Sequence, residues 1–313
     1  MLDIGPLIAQ IGYPPNLEPH PSGFEAGQTA ELFFTLYCGL AVVLLALPWA
    51  IHRAIKRRDT VPILVLAGGL VCSLEEPMLD MLGHLHWADD LEDLYNNFGV
   101  PVPALIPPCY VAFLGLQAYF CYFVIKNGAR PRHFVQLLFM GLILDAVMET
   151  VGINLDVYEY YGVQPYEILG FPYWWGFING ASFVTVGFIV WYAAPRLKGA
   201  KKLLLLFAPP AGMMSTYFVV GWIHIFAHNS GLPEELRWVA ATIMMVETVG
   251  WMYILAHFAA RKENESYINW TLPRMFAFIL LPSGERRRRL WKKMEEEGRV
   301  TVTEPVPELA TTA

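Results

Sequence analysis

Residues 62–83 read PILVLAGGLVCSLEEPMLDMLG. The stretch is long enough to cross the ~30 Å hydrocarbon core of a bilayer as a helix. Yet Glu75, Glu76 and Asp80 sit in its second half, with no lysine or arginine beside them. A charged side chain at that depth costs at least about 2.5–3.5 kcal/mol on insertion scales, so such residues mark functional sites. Desolvation favours the neutral acid, and a carboxyl held there without a base is expected to keep its proton at neutral pH.

Similar apolar windows recur at 30–51, 107–125, 134–153, 174–194, 203–225 and 238–260. With 55% apolar and 16% charged residues, the chain is read as an all-α polytopic membrane protein, a seven-transmembrane-helix bundle. The basic residues test the count independently. Seven alternating helices put all but one of the 22 Lys and Arg on one side, with Arg237 alone opposite. The positive-inside rule then places the N-terminus outside and the C-terminus in the cytoplasm. Residues 1–29 form an external N-terminal segment without a basic region of signal-peptide type, and 30–260 the transmembrane domain. Residues 261–300 form a cytoplasmic tail and 301–313 are expected to be disordered. Within the tail, 267–282 suit an interfacial helix and 286–289 (RRRR) an anchor to anionic lipid headgroups, which makes membrane lipid an expected partner. No nucleic-acid partner is expected. Cys38, Cys72, Cys109 and Cys121 lie in or beside apolar segments and read as buried thiols.

The topology gives each acid a depth. Glu75, Glu76 and Asp80 in the second segment, and Asp145 and Glu149 in the fourth, all fall in the outer half. Glu247 lies near the middle of the seventh. Asn179 and His224 share the outer layer, so five segments send polar groups to one level. Glu76/Asp80 and Asp145/Glu149 are each spaced i,i+4, hence on one helix face. Pro77 is expected to kink the second helix and free a carbonyl, and Gly152 to allow close approach. Two carboxyls four residues apart in low dielectric do not both ionise easily, and an acid beside a conjugate base suits general acid–base work. Intramembrane polar residues also serve as helix–helix glue, but four or five at one depth favour a working site. The catalytic candidates are therefore Glu76, Asp80, Asp145, Glu149 and Glu247. Substrate-binding candidates are Glu75, Asn179, His224 and, from the aromatic run after the fourth segment, Tyr158, Tyr160, Trp174 and Trp175. That run reads as an interfacial belt or as a cap whose rings stabilise a developing cation.

His84 and His86, with His224 and His228, raise a metal alternative, but outer-end histidines read more readily as polar loop residues, and no metal or other cofactor is expected. The seventh segment has no lysine for a retinal Schiff base. Glu149–Gly152 and Glu247–Gly250 share ETVG, too little to establish an inverted repeat.

With Glu76-Pro77 and Asp80, Asp145-x3-Glu149, Tyr158-x-Tyr160-x-Gly162 and Phe171-Pro172, residues 68–188 resemble the AveC-like spirocyclase family. These are polytopic bacterial membrane proteins named for a spiroketal-forming cyclase and dehydratase. The resemblance implies a multi-pass protein of the bacterial plasma membrane and transfers no catalytic residue. It agrees with the acids on acid-catalysed cyclisation or dehydration of a hydrophobic polyketide- or terpenoid-like molecule. A proton-coupled transporter or lipid-binding protein using the same acids is the alternative, but the inner halves of the segments offer no acids to complete a relay.

Overall fold

The computed structural model describes residues 23–281 and 284–299. Residues 301–313 and most of the external N-terminal segment lie outside the described residues. Helix α1 (Gln28–Leu40) continues through one π-helical stretch (Ala41–Ala46) into α2 (Leu47–Arg57), and the first expected window falls in this run. Among the described residues, six helices are long and apolar enough to cross a membrane: Val61–Gly83, Ile106–Lys126, Pro131–Asn154, Tyr173–Ala193, Gly199–Val219 and Glu234–Ala259.

Two of the six are broken where proline requires it. The first comprises α3 (Val61–Cys72), a 3-10 turn (Ser73–Glu75) and α4 (Glu76–Gly83). Pro77 has no N–H for the carbonyl four residues back. That carbonyl, Ser73 O, instead accepts the Glu76 N–H and, at 2.6 Å, the Tyr95 hydroxyl. The expected helix 203–225 is corrected more strongly. Gly199–Phe207 is 3-10, α9 (Ala208–Val219) carries Pro209 and Pro210 in its first turn, and a separate short helix, α10 (Trp222–His228), follows a break. Neither proline donates a backbone bond into the preceding turn, so the α-ladder cannot extend upstream.

The other spans are α5 (Ile106–Tyr110) running through a π-helical stretch into α6 (Ala118–Lys126), then α7 (Pro131–Asn154), α8 (Tyr173–Ala193) and α11 (Glu234–Ala259). Helix α8 is the hub, packing on α6, α7, α9 and α11, and it is largely apolar on every side, as suits a buried helix, with Asn179, Ser182 and Thr185 as buried polar exceptions. Gly180 brings it onto α7: a Cβ there would lie 2.6 Å from the Leu138 carbonyl oxygen.

At one end of the bundle, β1 (Leu85–Trp87), which follows α4, pairs antiparallel with β4 (Tyr158–Tyr160), which follows α7. Two small hairpins flank them, β2 (Asp93–Asn97) with β3 (Val100–Pro103) and β5 (Glu167–Ile168) with β6 (Phe171–Pro172). The other end gathers the basic loops. Arg261 N–H donates to Ala129 O (2.7 Å) and the Arg130 guanidinium to the carbonyls of Lys262, Glu263 and Glu265. Helices α12 (Leu272–Leu280) and α13 (Glu285–Glu297) dock there through buried Trp270, Met275 and Met294.

Candidate functional site

Because α4 restarts at Glu76, the two acids on its first turns share one face, and the β1–β4 pairing holds that face against the end of α7. Glu76, Asp80, Asp145 and Glu149 all line one cavity of about 380 Å³. Asn179 from α8 and Tyr158, Tyr160 and Trp175 line it too, while among the described residues no Lys, Arg or His does. Gly152, one turn beyond Glu149, has no side chain where the Tyr158 ring crosses: a Cβ would lie 2.5 Å from its hydroxyl.

Each acid has a neutral donor. The Tyr110 hydroxyl donates to Glu76 Oε2, the Trp87 indole N–H to Asp80 Oδ2 at 2.9 Å, and the Tyr160 hydroxyl to Glu149 Oε2 at 3.1 Å. Asp145 is held through a chain. The Tyr217 hydroxyl donates to Asn179 Oδ1, which turns the amide N–H toward Asp145 Oδ2 at 3.0 Å. The other oxygen, Asp145 Oδ1, is shut off from water and has no hydrogen-bond partner. A buried, unpaired carboxyl oxygen is costly.

Tyr110, Tyr217 and Trp87 were missed by the sequence reading, which sought aromatic partners in the loop after the fourth segment. Tyr110 and Tyr217 lie in the third and sixth windows, and the depth rule applied to tyrosine would have reached them.

Other candidates lie elsewhere. Glu75 points away, half-buried, and accepts the Cys72 thiol proton at 3.3 Å. Glu247 is exposed on the outer face of α11, with exposed Ile243, Val246 and Ile254 around it. Trp174 is fully buried, its indole N–H on Gln164 Oε1 (3.2 Å) and its ring 4.2 Å from His224. Neither residue lines the cavity. His84, His224 and His228 are buried rather than loop-exposed, with the His84 and His228 rings 4.0 Å apart. Burial pushes His84 down to about 4, and the Arg237 charge acts in the same direction against a hydrogen bond to Asn229. His84 is therefore neutral at pH 7. Among the described residues, no three His, Cys, Asp or Glu side chains are arranged to hold a metal ion.

No protein family, curated protein or solved structure matches the chain.

Proposed function

We propose that the chain is a membrane-embedded acid–base cyclase or dehydratase of the AveC-like type, acting on a hydrophobic polyketide- or terpenoid-like substrate. In this reading it is a seven-span protein of the bacterial plasma membrane, with the run 28–57 as the first span. The N-terminus is outside, and the chamber opens toward the outer half of the bilayer. The observation that carries the reading is the convergence of four carboxyl groups from α4 and α7 on one cavity that no cation among the described residues lines.

Asp145 is the proton donor. Asn179 N–H holds the carboxyl by Oδ2 and fixes it in the cavity wall. Glu149, one turn away and held by Tyr160, is the acceptor. In the forward step Asp145 protonates a substrate hydroxyl, which leaves as water and creates an oxocarbenium-like cation. A second hydroxyl closes on that carbon and gives its proton to Glu149; proton transfer back to Asp145 restores the site. The π-faces of Tyr158, Tyr160, Trp175 and Tyr217 stabilise the cation, and the apolar walls exclude competing water. Glu76 and Asp80 form the opposite acidic wall and orient the attacking hydroxyl. A transporter needs titratable groups toward both faces, whereas these acids crowd one end of the bundle.

Small molecules extracted from the purified protein and analysed by mass spectrometry identify the substrate class. With that substrate, Asp145→Asn and Glu149→Gln each lower turnover by about 10²–10⁴-fold, the range for loss of a positioned acid or base. Normal turnover in folded variants would remove the assignment.

A further inference from the structure

At the end of the bundle that carries the basic loops, a second cavity of about 430 Å³ opens between the end of α6 and helices α12 and α13. Its floor is aromatic. The Phe123 and Phe278 rings lie 5.7 Å apart, and Trp291 closes the triangle at 5.8 and 6.0 Å. Its polar side consists of Asn127, Arg287 and Arg288.

Among the described residues, the tail's acids pair with other cations and not with these two arginines. Glu285 pairs with Arg289, Glu296 with Lys292 and Glu297 with Arg274. Arg287 packs over Phe278 at 4.7 Å and spends Nη2 on the carbonyls of Phe278 and Ile279, while its Nε is buried without an acceptor. Arg288 is exposed beside it, as are Ile279 and Leu280 at the end of α12. Two guanidinium groups above an aromatic floor, next to exposed aliphatic side chains, match an anion attached to a hydrocarbon. A plain cationic tail would need no cavity, and a soluble phosphate would need no aromatic floor.

We propose that this cavity binds one anionic phospholipid, with the phosphodiester on Arg287, Arg288 and the Asn127 amide and the upper acyl chain on Phe123, Phe278 and Trp291. Guanidinium–phosphate pairs are charge-assisted and geometrically specific, and the volume lies within the ~300–1,000 Å³ of small-molecule sites. The lipid would clamp the tail to the bundle at the level of the headgroups. This extends the polybasic-anchor idea from diffuse attraction to a stoichiometric site, and it rests on the reading of the apolar helices as membrane spans.

The test uses the full chain in neutral detergent, followed by thermal unfolding with phosphatidylglycerol, with phosphatidylcholine of the same chains, or with glycerol phosphate. Phosphatidylglycerol at a hundredfold excess over Kd raises the unfolding midpoint by about 5 °C, and the other two leave it unchanged. Arg288→Glu, at an exposed position with no ion pair among the described residues, keeps the lipid-free midpoint but loses the shift, whereas Arg288→Lys retains most of it. Native mass spectrometry counts one retained phosphatidylglycerol per chain in the wild type and none in Arg288→Glu. An equal shift with phosphatidylcholine, a full shift in Arg288→Glu, or the same shift with glycerol phosphate would overturn the lipid site.

Discussion

Tyr217 reaches Asp145 only through Asn179, so its hydroxyl positions a carboxyl it never touches. Tyr217→Phe leaves Asn179 Oδ1 buried and unsatisfied, at a cost of about 1–3 kcal/mol in stability, and frees the amide to flip. The unfolding midpoint should fall, and turnover should fall less than in Asp145→Asn; a variant with both unchanged would show the chain to be incidental. His84 gives a pH signature outside the spans. Its folded-state value is depressed to about 4 by burial, below the ~6.5 of the unfolded chain. Between those values the unfolded state binds the extra proton, so stability is full above about pH 6.5 and declines as pH falls toward 4. Replacing His84 with Gln should flatten that part of the stability profile. The four chamber acids were legible because an uncompensated carboxyl in apolar sequence is physically expensive. Their donors were less so, because a tyrosine or tryptophan in apolar sequence costs little, and only its depth, shared with the acids, points to it. Glu247 satisfied the cost argument and still faces outward, since sequence gives a residue's depth on a helix but only packing gives its direction.

The α7–α8 contact carries the site, because Asp145 and Glu149 come from one helix and Asn179 from the other. Gly180→Ala would gain up to about 1 kcal/mol of helix propensity. Its new methyl would, however, meet a backbone oxygen at 2.6 Å, which cannot rotate away. Overpacking costs about 1–3 kcal/mol, so the variant should unfold earlier, with Asn179 displaced from Asp145 and turnover reduced. An unchanged midpoint would show that α8 can slide. At this scale the windows at 62–83, 107–125, 134–153, 174–194 and 238–260 correspond to helices. The window at 203–225 corresponds to the span Gly199–Val219 only in part, since the span is 3-10 up to Phe207 and ends before the break that precedes α10; hydropathy is blind to the backbone donors that Pro209 and Pro210 remove. Pro77 was read correctly as a disruption, but Tyr95, the side chain that serves the freed carbonyl, arrives from a hairpin with no signal of its own. Tyr158 and Tyr160 reach the cavity on the β1–β4 pair, a pairing across more than seventy residues that no local pattern encodes.

At the scale of the whole molecule, the bundle has an acidic-aromatic end and a basic end, and the proposed topology assigns them to opposite sides of the membrane. Over the wild-type background, an impermeant thiol reagent applied to intact cells should label Glu235→Cys, at the start of α11, and leave Lys201→Cys unlabelled; the reverse pattern would invert the orientation. The charge distribution already separated the two ends in sequence, whereas the cavity between α4 and α7 exists only once the helices are packed. Its chemistry is tested most directly by comparing organic extracts of cells expressing the wild type, Asp145→Asn and Glu149→Gln, each shown to fold. Wild-type extracts should contain a product that is isomeric with its precursor or lighter by one water, and both variants should accumulate the precursor instead. The same product at the same level in all three would contradict an acid–base chamber built on Asp145 and Glu149.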